Sequence, residues 1–198
     1  SLVVGVSLGL IAGFRGGWLD AFLMRLCDVM LSFPAILVAL LIAGVGRAVF
    51  PNADDSLAFG VLIISISLTG WVQYARTVRG TTLVERNKEY VQAARVTGVA
   101  PLRIMLRHVL PNATVATMTM MPFILSGTIG SLTALDFLGF GLPASAPSLG
   151  ELTQQAKQNL QAPWLAFTAF ATFSIMLSLL VFISEGVRDA FDPRKTFS

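Results

Sequence analysis

The chain is 198 residues long, 55% hydrophobic and only 13% charged, with a mean hydropathy of +0.74. A soluble domain carries about 25% charged residues, so this composition excludes a water-solvated globule. The net charge of +3 and pI near 9.5 read as the insertion bias of a membrane chain and not as a nucleic-acid surface.

Five long stretches carry no charged side chain: 2–14, 29–46, 57–75, 109–135 and 162–184. A bilayer core of roughly 30 Å needs about 20 helical residues. The last four stretches can therefore span, the two shorter ones with help from flanking side chains, and 1–14 is a partial span. The sequence opens inside an apolar run with no Met, and neither the basic leader nor the cleavage site of a signal peptide is present, so Ser1 reads as a cut within a longer chain. Gly5, Gly9 and Gly13 clear one helix face for close approach, either inside this bundle or at a subunit interface. In the 15–28 connection Asp28 can pair with Arg25 one turn earlier, and the single Cys27 reads as a packed thiol. Pro34 and Pro122 fall inside apolar spans and predict kinks. Trp18, Trp71, Tyr74 and Trp164 stand near predicted span ends, where interfacial aromatic anchors belong.

Seven of the fourteen basic residues lie from Arg76 to Arg107, against two acids, Glu85 and Glu89. Lys and Arg near span ends are retained in the cytoplasm, so 76–108 is predicted inside, together with 15–28 and the tail 185–198. Alternation leaves Arg47–Ser56 and 136–161 outside. Twelve basic residues then lie inside and two, Arg47 and Lys157, outside. The outer loop Phe137–Gly150 is apolar but broken by Gly and Pro, and Glu151–Gln161 has helical spacing, predicting an ordered external cap. No repeat or linker divides the chain, so 1–198 reads as one domain.

The inside segment predicts two short helices. Glu85–Thr97 is helix-permissive, Gly98 supplies a stop that tolerates positive φ, and Pro101 fits the first turn of a second helix running through Ile104, Met105 and Leu106 to Pro111. The stretch Gln92-Ala93-Ala94-Arg95-Val96-Thr97-Gly98, followed after nine residues by His108-Val109-Leu110-Pro111, resembles the signature of permease subunits of binding-protein-dependent ABC importers. That signature reads Glu-Ala-Ala, three residues, Gly, nine residues, Ile, one residue, Leu-Pro, so Gln92 and His108 depart from it. Both departures resemble the oligopeptide, dipeptide and nickel branch. So do Met24–Asp28 with Ser32-Phe33-Pro34, Tyr74–Gly80, Ala162–Leu165 and Gly186–Arg194. The run Leu135–Pro143 with Pro147–Leu152 most resembles the Yej-type permeases associated with microcin C and longer peptides. Leu132 and Asp136 stand where the wider branch usually has an acid and a Ser.

The resemblance implies an all-α polytopic helical membrane protein, an ABC importer permease bundle, with about five membrane segments in this sequence. It implies a bacterial inner-membrane location with the C-terminus cytoplasmic. The elbow would be a coupling helix docking on an ATPase subunit, with Tyr90, Val91, Gln92, Ala93, Ala94, Arg95, Gly98, Leu110 and Pro111 as the coupling residues. Ala93 and Ala94 would allow close approach, while Tyr90, Val91 and Arg95 would supply anchor and charge. The partners implied are a second permease, ATP-binding subunits, a periplasmic or extracellular solute-binding protein, membrane lipid and a peptide substrate, with no nucleic acid.

The 198 residues contain no Gly-x-x-x-x-Gly-Lys-Ser/Thr phosphate loop, no His-Glu-x-x-His pair and no Gly-x-Ser-x-Gly turn. ATP and Mg are therefore expected on partner subunits, with no catalytic residue, cofactor or metal on this chain. The lone His108 reads as structural. Ser126, Thr128, Ser131 and Asp136 are candidate pathway groups, Asp136 facing an outer vestibule, although hydroxyls at such spacings equally bond helix to helix. Two alternatives remain at this stage: a non-translocating ATPase-docking scaffold, and an ion-coupled secondary transporter.

Overall fold

The computed structural model describes residues 1–51, 54–142 and 146–191. The distal part of the expected tail (192–198), Pro143 of the outer loop and part of its 47–56 counterpart lie outside the described residues. The helices are α1 (Leu2–Arg15), α2 (Gly17–Leu31), α3 (Ala35–Val49), α4 (Asp55–Glu85), α5 (Glu89–Val96), α6 (Pro101–Ile104), α7 (Leu110–Phe137), α8 (Leu149–Gln158) and α9 (Pro163–Phe191). Among the described residues α4, the Thr117–Phe137 part of α7 and the Pro163–Val187 part of α9 are long and apolar enough to cross a bilayer. The pair α2 and α3 supplies a fourth crossing if counted together, and α1 is a shorter apolar helix. This is the expected all-α polytopic arrangement.

Three prolines meet three fates. Pro34 ends a helix instead of kinking one: α2 stops at Leu31, the Ser32 N–H and hydroxyl bond the Asp28 carbonyl, and Leu37 and Val38 restart on the Pro34 carbonyl. Pro122 lies inside an uninterrupted α7, its carbonyl accepting the Ser126 hydroxyl at 3.0 Å. Pro111 has no N–H for the Arg107 carbonyl, and its ring crowds the preceding turn. The ladder widens there, and the Leu110 N–H reaches back five residues to Met105.

The described chain forms two compact units. The first comprises 1–33, 70–121 and the segment from Val187 on. Its apolar core gathers Leu10, Val78, Val91, Ile104, Val109 and Ala113, with Cys27, Trp71, Val72 and Ala75 in a second cluster. Burying Val91 and Ile104, which lie in the polar segment between spans, contributes about 1.5–3 kcal/mol each. The glycine stripe is spent inside this unit. A Cβ at Gly5 would stand 2.4 Å from the Trp71 carbonyl oxygen, one at Gly9 2.4 Å from that of Ala75, and one at Gly13 2.7 Å from Thr82 Cβ. That approach buries Trp71 and Tyr74, so these two are packing residues and not the interfacial anchors expected; Trp18 and Trp164 are exposed. Asp28 pairs with Arg76 and not with Arg25, and Asp20 with Arg79. The reason is helix stacking: α2 lays its acids against α4, which an i, i+3 reading along α2 alone does not see. The Arg86 guanidinium donates to the Gly13 carbonyl at 2.7 Å, satisfying an orphan acceptor at the end of α1.

The second unit comprises 34–69 and 122–186. Its core is Ala39, Leu62 and Leu135, with Ile36, Leu40, Ile66, Leu132 and Leu142 around them. Gly46 lets α3 close on Val61 of α4, where a Cβ would meet a methyl at 2.4 Å.

Candidate coupling segment and external loop

The α5 helix ends as its sequence demands. The Gly98 N–H bonds the Arg95 carbonyl and the Val99 N–H the Ala94 carbonyl, both at 3.1 Å, with Gly98 at φ 77°. This pair of bonds satisfies two terminal carbonyls and requires the left-handed residue that glycine supplies. Helical periodicity then splits the expected coupling residues. Val91, 0% exposed, and the half-buried Ala94 face the core, as does the half-buried Leu110. This corrects the expectation that Val91 and Ala94 supply the contact surface: at i and i+3 they share the inward face. Gln92, Ala93, Arg95 and Val96 are exposed, Val96 at 88%. Arg95 also reaches over the Phe14 ring at 5.3 Å. Beyond the elbow Pro101, Leu102, Leu106 and Pro111 stand exposed, and Leu102, Leu106 and Pro111 line a shallow groove with Ala100, Arg103 and Arg107. The segment thus offers an apolar strip flanked by guanidinium groups. Gln92 has a local use: its amide donates to the Arg86 carbonyl at 3.2 Å, which the Glu of the related signature could not do when ionised.

The Tyr90 side chain, 40% exposed, joins three elements. Its hydroxyl donates to Glu85 Oε2 at 2.5 Å, at the end of α4, and accepts from Asn112 Nδ2 at 3.0 Å, in the first turn of α7. Asn112 also donates to the His108 carbonyl at 2.9 Å, and Lys88 Nζ lies 2.6 Å from Glu85 Oε1. The His108 ring stands 6.3 Å from the Tyr90 ring. Partial burial and then the Glu85 carboxylate push the phenol pKa up to about 12, so the hydroxyl keeps its proton at any physiological pH.

At the other end of α7, Asp136 is 7% exposed and is enclosed instead of facing an open vestibule. Its carboxylate accepts the Leu142 N–H at 2.9 Å and the Ser148 hydroxyl. A Cβ at Gly141 would lie 2.3 Å from Asp136 Cα, and one at Gly150 2.4 Å from its Cβ, so only glycine fits at both positions. Arg47 grips the same loop through the Gly139 carbonyl, the Gly141 carbonyl at 3.2 Å and the Phe140 ring face at 5.5 Å. Ser126 and Thr128 are half-buried and give their hydroxyls to the Pro122 and Ile124 carbonyls; Ser131 is half-buried on the same helix. Among the described residues no group of three His, Cys, Asp or Glu side chains could hold a metal.

Sequence reasoning missed Glu85, Asn112, Arg47 and Ser148. Ser148 had a readable signal, since Ser-x-x-Glu opens α8 with the Ser148 oxygen accepting the Glu151 N–H at 3.0 Å. Arg47 had none beyond being a lone cation beside an apolar loop.

Residues 5–197 match the family described as "Binding-protein-dependent transport system inner membrane component". The chain is 54% identical over its full length to a peptidoglycan transport system permease protein YejE of Agrobacterium fabrum, covering 49% of that protein. It is 49% identical over 98% of its length to an inner membrane ABC transporter permease protein YejE of Escherichia coli, covering 54%. A dipeptide transport system permease protein DppC of Alkalihalophilus pseudofirmus is 36% identical, with 98% of this chain and 61% of that protein aligned. The chain spans about half the length of the two YejE relatives. With its apolar helices and its Gln92–Pro111 elbow, the chain belongs to the family of inner-membrane components of binding-protein-dependent transport systems.

Proposed function

We propose that this chain is the permease core of one subunit of an ATP-driven importer of peptides. It would form half of the translocation path beside a second permease, take solute from an external binding protein and draw work from ATP-binding subunits, which hold the ATP and Mg. The observation that carries this reading is the exposed groove of Leu102, Leu106 and Pro111 with Arg103 and Arg107, together with the exposed Val96 at the end of α5. Both stand on a segment whose inward face is fixed by Val91 and Ile104. An apolar centre rimmed by Arg is the composition of a protein contact, and the segment runs straight into the membrane-crossing α7. ATP-driven closure of the partner would then move α5 and shift the spans between two states of differing affinity for the partners. The half-buried Ser126, Thr128 and Ser131 are assigned to the path, and Asp136 shapes its outer mouth by holding the 137–150 loop. The names of the relatives favour peptides, cell-wall-derived ones included, as cargo.

The test is co-purification of the full-length protein from its native membrane in mild detergent. Val96→Asp with Leu102→Asp should release the ATPase subunit while the second permease stays bound, and should abolish ATP-dependent uptake of labelled peptide. Ala94→Glu, by contrast, should destabilise the chain itself. Full retention of the ATPase by the Val96/Leu102 variant, or no ATPase with the wild type, would overturn the reading.

A further inference from the structure

One hydroxyl ties together the last residue of α4, the second residue of α5 and the first turn of α7. In the core α5 is held by Val91 and Ala94, apolar contacts that are non-directional and tolerate sliding, while its other polar contacts, Gln92 to the Arg86 carbonyl and Arg95 over the Phe14 ring, do not reach α7. A hydrogen bond to a carboxylate is short, directional and stronger than a neutral one. We propose that Tyr90 is a positioning residue that locks α5 in register with the ends of both α4 and α7, so that a displacement of α5 reaches the two spans together. The transport half of this proposal rests on the importer reading above; the linkage itself does not.

The surroundings make the hydroxyl separable from the fold. Without it, Glu85 keeps Lys88 as a partner, Asn112 keeps the His108 carbonyl, and a phenyl ring still lies beside the His108 ring. Neither former partner is left as an orphan, so Tyr90→Phe should fold and lose only the linkage.

The experiment uses the full-length protein purified with its accompanying subunits and has two readouts. Amide hydrogen exchange should speed up several-fold in Tyr90→Phe over 86–97 and 108–116 alike. Asn112→Ala should loosen the same two segments, and the double variant should fall short of the sum of the two singles, because both remove the Tyr90–Asn112 bond. In reconstituted vesicles Tyr90→Phe should keep the ATPase subunit at wild-type level while peptide imported per ATP hydrolysed falls several-fold. Unchanged exchange, exchange raised in α5 alone, additive effects of the two substitutions, or loss of the ATPase subunit from Tyr90→Phe would each overturn the proposal, the last by making Tyr90 a docking contact. Should the wild type not couple ATP to import, the importer reading fails and the exchange result alone decides the linkage.

Discussion

A partly buried phenol that gives its proton to the Glu85 carboxylate has reason to hold it, and the N–H received from Asn112 offsets this only in part. Its folded pKa of about 12 lies above the roughly 10 of a free tyrosine. The folded state therefore binds this proton more tightly than the unfolded one. Its contribution to stability is fully present below pH about 10 and is lost as pH rises through about 12. The alkaline absorbance titration of wild type minus Tyr90→Phe isolates this group and should show a midpoint near 12; a midpoint near 10 would mean that the phenol is free. Gly9 is decided by space instead. A methyl there meets the Ala75 carbonyl oxygen at 2.4 Å, and a backbone atom cannot swing aside. Gly9→Ala gains up to about 1 kcal/mol of helix propensity but forces overpacking that typically costs about 1–3 kcal/mol. The variant should melt below the wild type, whereas Gly80→Ala, with nothing within 4 Å of the added methyl, should melt at or above it.

Among the elements, the described parts of the 137–150 loop, 137–142 and 146–150, are held by α7 and α3. Asp136→Ala would leave the Leu142 N–H and the Ser148 hydroxyl without their acceptor, each such loss costing about 1–3 kcal/mol. Limited proteolysis within 137–150 should therefore accelerate strongly, and less so in Asp136→Asn, which keeps one acceptor oxygen. Proteolysis unchanged in Asp136→Ala would show that Arg47 alone secures the loop. Elements whose determinants are local were legible in the sequence: Gly98 and Pro101 bracket the elbow, and Ser148 with Glu151 opens α8. What stayed hidden depends on another helix lying alongside. Asp28 chooses Arg76 over Arg25, Trp71 is buried because α1 offers glycines, and Val91 turns inward because Ile104 and Val109 wait there. The prolines differ in the same way: the helix ends before Pro34, widens before Pro111 and continues through Pro122.

For the whole molecule, charge and exposure combine into a prediction of orientation. Large apolar side chains of α9, Phe167, Phe170 and Phe182 among them, are exposed; in a working protein such a surface is covered by lipid or by other protein. The basic residues divide twelve to two between the two predicted sides, and that imbalance is what retains loops in the cytoplasm. Two exposed positions test it, because Val96 is 88% and Leu160 82% exposed, while the one cysteine of the sequence, Cys27, is fully buried and should stay silent. In intact cells whose outer barrier has been opened, a membrane-impermeant maleimide should label Leu160→Cys and spare Val96→Cys, which should react only once the inner membrane is lysed. The reverse pattern would place the elbow outside. A cytoplasmic ATPase could not then touch Val96 or Leu102, and the insertion bias, the coupling strip and the importer reading would fall together.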